Sequence, residues 1–136
     1  HGILKAVSYN KGGEVGTATL ESAGKVEKIR LSADRTEIVA DGNDLSYITL
    51  ELVDSKGIRN QLAEELVEFS IAGDATIEGV GNANPMSIES FVANSRKTWR
   101  GSNLLVVRSG KSSGRIIVTA KVKALPVASI TITQKK

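Results

Sequence analysis

The stretch YITLELV, residues 47–53, decides the fold. Ile48, Leu50 and Leu52 fall on one side of an extended chain, and Tyr47, Thr49 and Glu51 on the other. That period of two belongs to a half-buried β-strand and not to a helix. The same alternation recurs outward from this segment in both directions. KIRLSA sets Ile29, Leu31 and Ala33 inward, and VEFSI sets Val67, Phe69 and Ile71 inward. RIIVTAKV alternates around Ile116, Val118 and Ala120, and ASITIT around Ala128, Ile130 and Ile132. LLVV, residues 104–107, is apolar on both faces, which predicts a central strand covered on both sides.

Turn residues separate these runs at short intervals, at Asn10–Gly13, Asp41–Asn43, Asp54–Gly57 and Gly110–Gly114. About seven short alternating strands at this spacing predict an all-β protein, an antiparallel β-sandwich. Gln61–Leu66 is read as a single helical turn inside a loop. Residues 1–24 stand apart from residues 25–136. Ile3–Tyr9 and Val15–Leu20 read as a hairpin around Gly12-Gly13, followed by a small-residue joint at Ser22-Ala23-Gly24. A lone hairpin is marginal in water, so it needs a partner surface. Leu4, Ala6, Ala18 and Leu20 share one face of it and could also pair two chains into a dimer.

Composition bounds the function. The 136 residues amount to about one domain, with 40% hydrophobic and 24% charged residues. There is no cysteine, which excludes disulfides and thiolate zinc. The net charge is +3, but aromatics are only 4% of the chain, so the aromatic-laced basic stripe of a nucleic-acid binder is missing. No apolar run approaches the ~20 residues of a membrane span. The opening His1-Gly2, without an initiator Met, reads as a cut end of a longer protein.

EGVGNANP, residues 78–85, is the most conspicuous motif. Gly79-Val80-Gly81 starts like a dinucleotide fingerprint, but Asn84 stands where the third glycine belongs, and Pro85 denies the helix that would meet a pyrophosphate. No cofactor is expected. The structural reading is that Gly79 and Gly81 let the backbone turn sharply or be approached closely. Asn82 and Asn84 would hydrogen-bond their own turn, and Pro85 would stop strand pairing. Asp41-Gly42-Asn43-Asp44 lacks the spacing of a calcium loop and reads as a turn. Glu64, Glu65, Glu78 and Glu89 offer carboxylates for glycoside hydrolysis, but nothing pairs them, and surface solubility explains them as well. The only histidine is His1, which removes a Ser-His-Asp centre. No catalytic residue is assigned.

Residues 82–101 form a long segment of weak strand pattern holding Phe91, the only tryptophan (Trp99), and Arg96, Lys97 and Arg100. Asn82, Arg96, Trp99 and Arg100 are the residue types that stack on and hydrogen-bond a sugar or a partner surface. The alternative is that Phe91 and Trp99 simply pin the loop to the sandwich.

GVGNANP with Glu89, Phe91, Arg96 and Gly101 at this spacing, together with residues 28–57 and GRIIVTAKVKAL, resembles the C-terminal immunoglobulin-like, invasin-type domain of bacterial glycoside hydrolase family 2 enzymes of the β-galactosidase type. The likeness covers residues 25–133, and LKAVSYNKGGEVGTATLESAG looks like the last two strands of the preceding immunoglobulin-like domain. The resemblance implies an immunoglobulin-like sandwich. It also implies a periplasmic or secreted bacterial parent that cleaves terminal β-galactosides with two glutamates on a (β/α)₈ barrel upstream, so no catalytic residue carries over. The family often has Gly-Asp where Ala83-Asn84 stand, which puts in doubt any role needing charge there. The expected role is a non-catalytic accessory domain packing on the other domains of the parent. The alternatives are an independent carbohydrate-binding module with Trp99 as platform, and an adhesin-type repeat, which flanking copies of the domain would reveal.

Overall fold

The alternation of residues 47–53 is realised in the computed structural model, which describes residues 2–136. Ile48, Leu50 and Leu52 are wholly buried while Tyr47 faces out. Full burial of each such side chain is worth roughly 1.5–3 kcal/mol, so this one strand anchors much of the core.

Among the described residues there are eleven strands and no helix. They are β1 (Ile3–Asn10), β2 (Gly13–Glu21), β3 (Lys28–Ala33), β4 (Glu37–Val39), β5 (Leu45–Val53), β6 (Leu66–Ala72), β7 (Ala75–Gly81), β8 (Ser95–Lys97), β9 (Ser102–Ser109), β10 (Gly114–Val122) and β11 (Ala128–Lys135). One sheet has the order β4-β11-β10-β6-β8 and the other β3-β5-β9-β7. Val67, Phe69, Ile116, Val118 and Ile132 of the first meet Ile48, Leu50, Leu105 and Val107 of the second in one core. All pairings in the two sheets are antiparallel except β4 beside β11, which is parallel.

Two expectations need correction. Gln61–Leu66 is not helical: Gln61-Leu62 form a turn and β6 begins at Leu66. The asparagine just before it holds this turn, with Asn60 Oδ1 accepting the Leu62 N–H at 2.9 Å. β9 is central in its sheet, but its outer face is not covered by this chain, since Leu104 is 40% exposed. β4 and β8 carry no readable alternation because each is only three residues long.

β1 and β2 pair around Lys11-Gly12, with Leu4 opposite Leu20 and Ala6 opposite Ala18. Ile3, Leu4, Tyr9, Val15 and Leu20 are all exposed, so neither sheet of the sandwich shelters the hairpin. Its base is nevertheless fixed. The buried Asp54 carboxylate accepts the Gly24 N–H at 2.8 Å, and Asn60 Nδ2 donates to the Gly24 carbonyl at 2.8 Å. Asp54 also accepts the Lys56 and Ile58 N–H groups, and these bonds, that from Gly24 foremost, hold its carboxyl below the usual carboxylate range.

Candidate functional site

β7 brings the GVGNANP motif to one end of the sandwich. Its register against β9 slips between Ile77 and Gly79, so Glu78 is an extra residue on β7. Val80 points inward and is buried, which places Gly79 and Gly81 on the outer face. Neither glycine has positive φ. What Gly79 permits is a close approach: a Cβ there would lie 3.2 Å from the Phe91 carbonyl oxygen, which accepts the Val80 N–H at 2.8 Å. At Gly81 a Cβ would meet only the edge of the Phe91 ring, at 4.0 Å. Pro85 does not end the pairing, because β7 has already stopped at Gly81.

The loop that follows is held by its own side chains. Asn82 Oδ1 accepts the Asn84 N–H at 3.1 Å, and Asn84 Oδ1 accepts the Met86 N–H at 2.9 Å across Pro85. Asn82 Nδ2 reaches over to the Lys97 carbonyl at 2.8 Å. Glu89 returns the grip: its carboxylate accepts the Lys97 N–H at 2.9 Å and the Ser87 hydroxyl at 2.9 Å. The Lys97 N–H, then the Ser87 hydroxyl and nearby Arg96, keep the Glu89 carboxyl below its ordinary value.

Arg96 differs most from its expected place at the surface. It is wholly buried. Its Nη1 donates to the Glu89 carbonyl at 3.0 Å and, more weakly, to the Val80 carbonyl at 3.4 Å. The Phe91 ring lies over the guanidinium with its centroid 4.2 Å away. Arg96 is therefore an internal strut between β7, β8 and the loop, and its side chain cannot meet a sugar or a partner. Nothing in the sequence signals this burial: Arg96, Lys97 and Thr98 are all polar, and only the structure shows the first and third buried beside the exposed second.

Trp99 and Arg100 do stand together at the surface. The chain passes from β8 in one sheet to β9 in the other through Trp99-Arg100-Gly101-Ser102. Trp99 N donates to the Ser102 carbonyl at 3.0 Å, and Ser102 N returns to the Trp99 carbonyl at 3.1 Å. Arg100 (φ 51°) and Gly101 (φ 72°) both lie in the left-handed region, as a type I′ turn requires. This turn escaped the sequence reading because its first central residue is arginine and not the usual Asn, Asp or Gly.

Between this turn and the loop lies an open groove of about 830 Å³, lined among others by Arg59, Gly81, Asn82, Trp99, Arg100 and Leu104. Small residues explain it. On the outer face Gly81 stands opposite Leu104, which stands opposite Thr49, so the floor is low beside the two walls. Of the four residues expected to contact a ligand, the structure gathers Asn82, Trp99 and Arg100 around this groove and places Arg96 inside. Arg59, which sequence reasoning did not single out, joins them from the segment after β5. Among the described residues no cluster of His, Cys, Asp or Glu is arranged to hold a metal ion.

Comparison with known proteins agrees with this architecture. Over its whole length the chain is 98% identical to part of a glycosyl hydrolase family 2 member from Bacteroides cellulosilyticus whose crystal structure is known, with a TM-score of 0.97, and it covers 18% of that chain. It is 35% identical over 135 residues to the β-galactosidase BoGH2A of Bacteroides ovatus and 30% identical over 134 residues to a β-glucuronidase of Formosa agariphila. It covers 99% and 96% of itself in these alignments but spans only 16% and 13% of the two relatives. The family model for glycoside hydrolase family 2 C-terminal domain 5 matches residues 29–131, through both sheets and the whole motif-bearing loop. The chain belongs to this glycoside hydrolase family 2 C-terminal domain family.

Proposed function

We propose that this domain is a non-catalytic accessory module of a family 2 β-galactosidase, docked on the other domains of its parent through the N-terminal hairpin and the tip of the loop after β7. One observation carries the reading: apolar side chains are displayed on elements that are firmly held. Met86 and Ile88 are 83% and 100% exposed, with Phe91 and Val92 beside them, on a loop braced by Asn82, Glu89 and Arg96. The hairpin, a remnant of the preceding domain in this reading, shows the same combination above its Asp54-pinned base. A contiguous apolar patch on a rigid element marks an interaction surface.

A supporting role also fits the carboxylates. Asp41, Asp44, Asp54, Asp74 and Glu89 all sit below the ordinary range, chiefly through hydrogen bonds they accept. A glycosidase general acid needs a shift upward. Ile88→Asp tests the docking. It should leave the melting temperature of this chain unchanged while lowering that of the full-length parent, together with its hydrolysis of a p-nitrophenyl β-galactoside. Equal effects on both, or none on the parent, would sink the docking reading. Preference of the parent for the β-glucuronide would instead overturn its assignment as a galactosidase.

A further inference from the structure

The hydrogen-bonding capacity left over in the groove points to its ligand. Both ends of the Asn82 amide are engaged within the chain, and the Ser102 hydroxyl donates to the Leu50 carbonyl at 2.9 Å. Asn103, also at the groove, is buried and spends its Nδ2 on the Arg96 carbonyl. Its Oδ1 is buried without a partner among the described residues and is the one acceptor left over; the rest of what remains is cationic and aromatic. Among the described residues the Arg100 guanidinium has no hydrogen bond and lies 6.0 Å from the centre of the Trp99 ring. Arg59 has only a long contact, 3.7 Å, with Glu51. Among the described residues no carboxylate lines the groove itself.

The backbone supplies an independent observation. Arg100 occupies the first central position of a type I′ turn with φ at 51°, where Asn or Gly is favoured and a long side chain is penalised. The turn therefore does not explain the arginine. Its position does, since it sets a guanidinium beside the indole at the rim of a concavity of ligand-binding size.

We propose that this groove binds an acidic sugar, a pyranose bearing a carboxylate. The apolar C–H face of the ring would lie on the Trp99 indole, and the carboxylate would take paired N–H donors from Arg100, with Arg59 on its far side. A neutral sugar satisfies the indole, but its hydroxyls accept only uncharged hydrogen bonds from the guanidiniums and cannot make the paired, charge-assisted contact that a carboxylate makes. An acidic peptide supplies carboxylates but no rigid apolar ring face. Leu104 and Gly81 give the floor the low relief such a flat ligand needs. The site does not depend on the docking reading, because it uses neither the hairpin nor the loop tip.

Trp99 is the only tryptophan, so its fluorescence reports on the groove directly. Trigalacturonic acid, the neutral β-linked galactotriose and an oligoglutamate peptide are titrated separately into this chain at low salt. The expected result is a saturable change with trigalacturonate and binding at least about tenfold weaker for the other two. Arg100→Asn keeps the turn, because asparagine tolerates its φ, so it should raise the melting temperature while weakening trigalacturonate about tenfold or more. Equal binding of the neutral trisaccharide would overturn the proposal, as would tighter binding of oligoglutamate or a flat response to all three. Unchanged affinity in Arg100→Asn would overturn it too, since the melt shows that variant folded.

Discussion

The loop before β8 and the turn after it stand a few residues apart and are held in opposite ways. The loop from Asn82 to Asn94 is tied by side chains, with Asn82, Asn84, Ser87, Glu89 and Arg96 each making part of the bracing. The Trp99–Ser102 turn is tied by backbone, through a reciprocal pair of hydrogen bonds and two residues of positive φ. A structure shared among many side chains loses a fraction when one is removed. A structure that rests on one backbone conformation has a single position where almost nothing else fits.

That position is Gly101, and it makes the sharpest test of the contrast. A Cβ there would sit 2.2 Å from the Asn60 carbonyl oxygen, at a φ of 72°. Asn60 cannot retreat, because its N–H donates to Leu52 at 2.9 Å and its side chain holds the hairpin joint. Gly101 itself donates to the Ala63 carbonyl at 3.0 Å and accepts from Leu52 at 2.9 Å. Gly101→Ala should therefore cost about 4 kcal/mol or more, a lowering of the melting temperature by more than ~10 °C or failure to fold. A loss of under about 1 kcal/mol in a denaturant titration would show that the turn is not the rigid partner in this comparison.

The heaviest single loss on the other side is Arg96→Ala. It removes two hydrogen bonds and the stacking surface under Phe91, and it leaves a void in a fully buried place. The expected cost is roughly 2–4 kcal/mol. The damage should be local: amide exchange at Lys97 and Val80, which bond to loop atoms, should accelerate before that of the β5 core. Uniform acceleration across both sheets would mean that Arg96 supports the sandwich and not the loop.

Glu89→Gln should cost less, about 1 kcal/mol at neutral pH, since an amide oxygen can still accept the Lys97 N–H but without charge. Because the folded Glu89 carboxyl titrates below its ordinary value, its ionised form is the one that stabilises. That contribution is present above the unfolded carboxylate value of about 4.3 and is lost as pH falls through the lower folded one. The gap between wild type and Glu89→Gln, read from melts, should close over that acid range. A gap that persists at lower pH would assign the effect to packing.

How much of this was legible in the sequence follows from the same distinction. Alternation exposed β3, β5, β6, β10 and β11, because a half-buried strand writes its burial into every second residue. β4 and β8, at three residues each, are too short to write anything. Four apolar residues at Leu104–Val107 say that both faces are apolar but not that both are covered by the same chain. Arg96 was taken for a surface group because arginine is seldom buried, and its burial depends on Phe91 and on carbonyls brought in from β7 and the loop. Asn82, Trp99 and Arg100 were found together because they come from one segment. Arg59 was not, because only the pairing of the sheets brings it there.

Gly79 and Gly81, the pair that first drew the eye, give the smallest effects and the finest division. Neither needs positive φ, so alanine has no strain to pay at either place. Replacing glycine at a compatible position narrows the unfolded ensemble and stabilises by about 0.4–1 kcal/mol. At Gly79 that gain meets the Phe91 carbonyl, which must yield by a few tenths of an ångström while keeping its bond to Val80. The balance there should lie between zero and a loss of about 1 kcal/mol. At Gly81 the nearest atom is an ordinary contact, so the gain should survive and the melting temperature should hold or rise slightly. Yet Gly81 also floors the groove, and a methyl group there raises the surface on which a flat ligand would lie. Gly81→Ala should thus leave stability intact and weaken trigalacturonate binding, while Gly79→Ala, outside the lining, should lose stability first and binding little. The reverse pattern would move the purpose of the second glycine from the groove back to the folding of the loop.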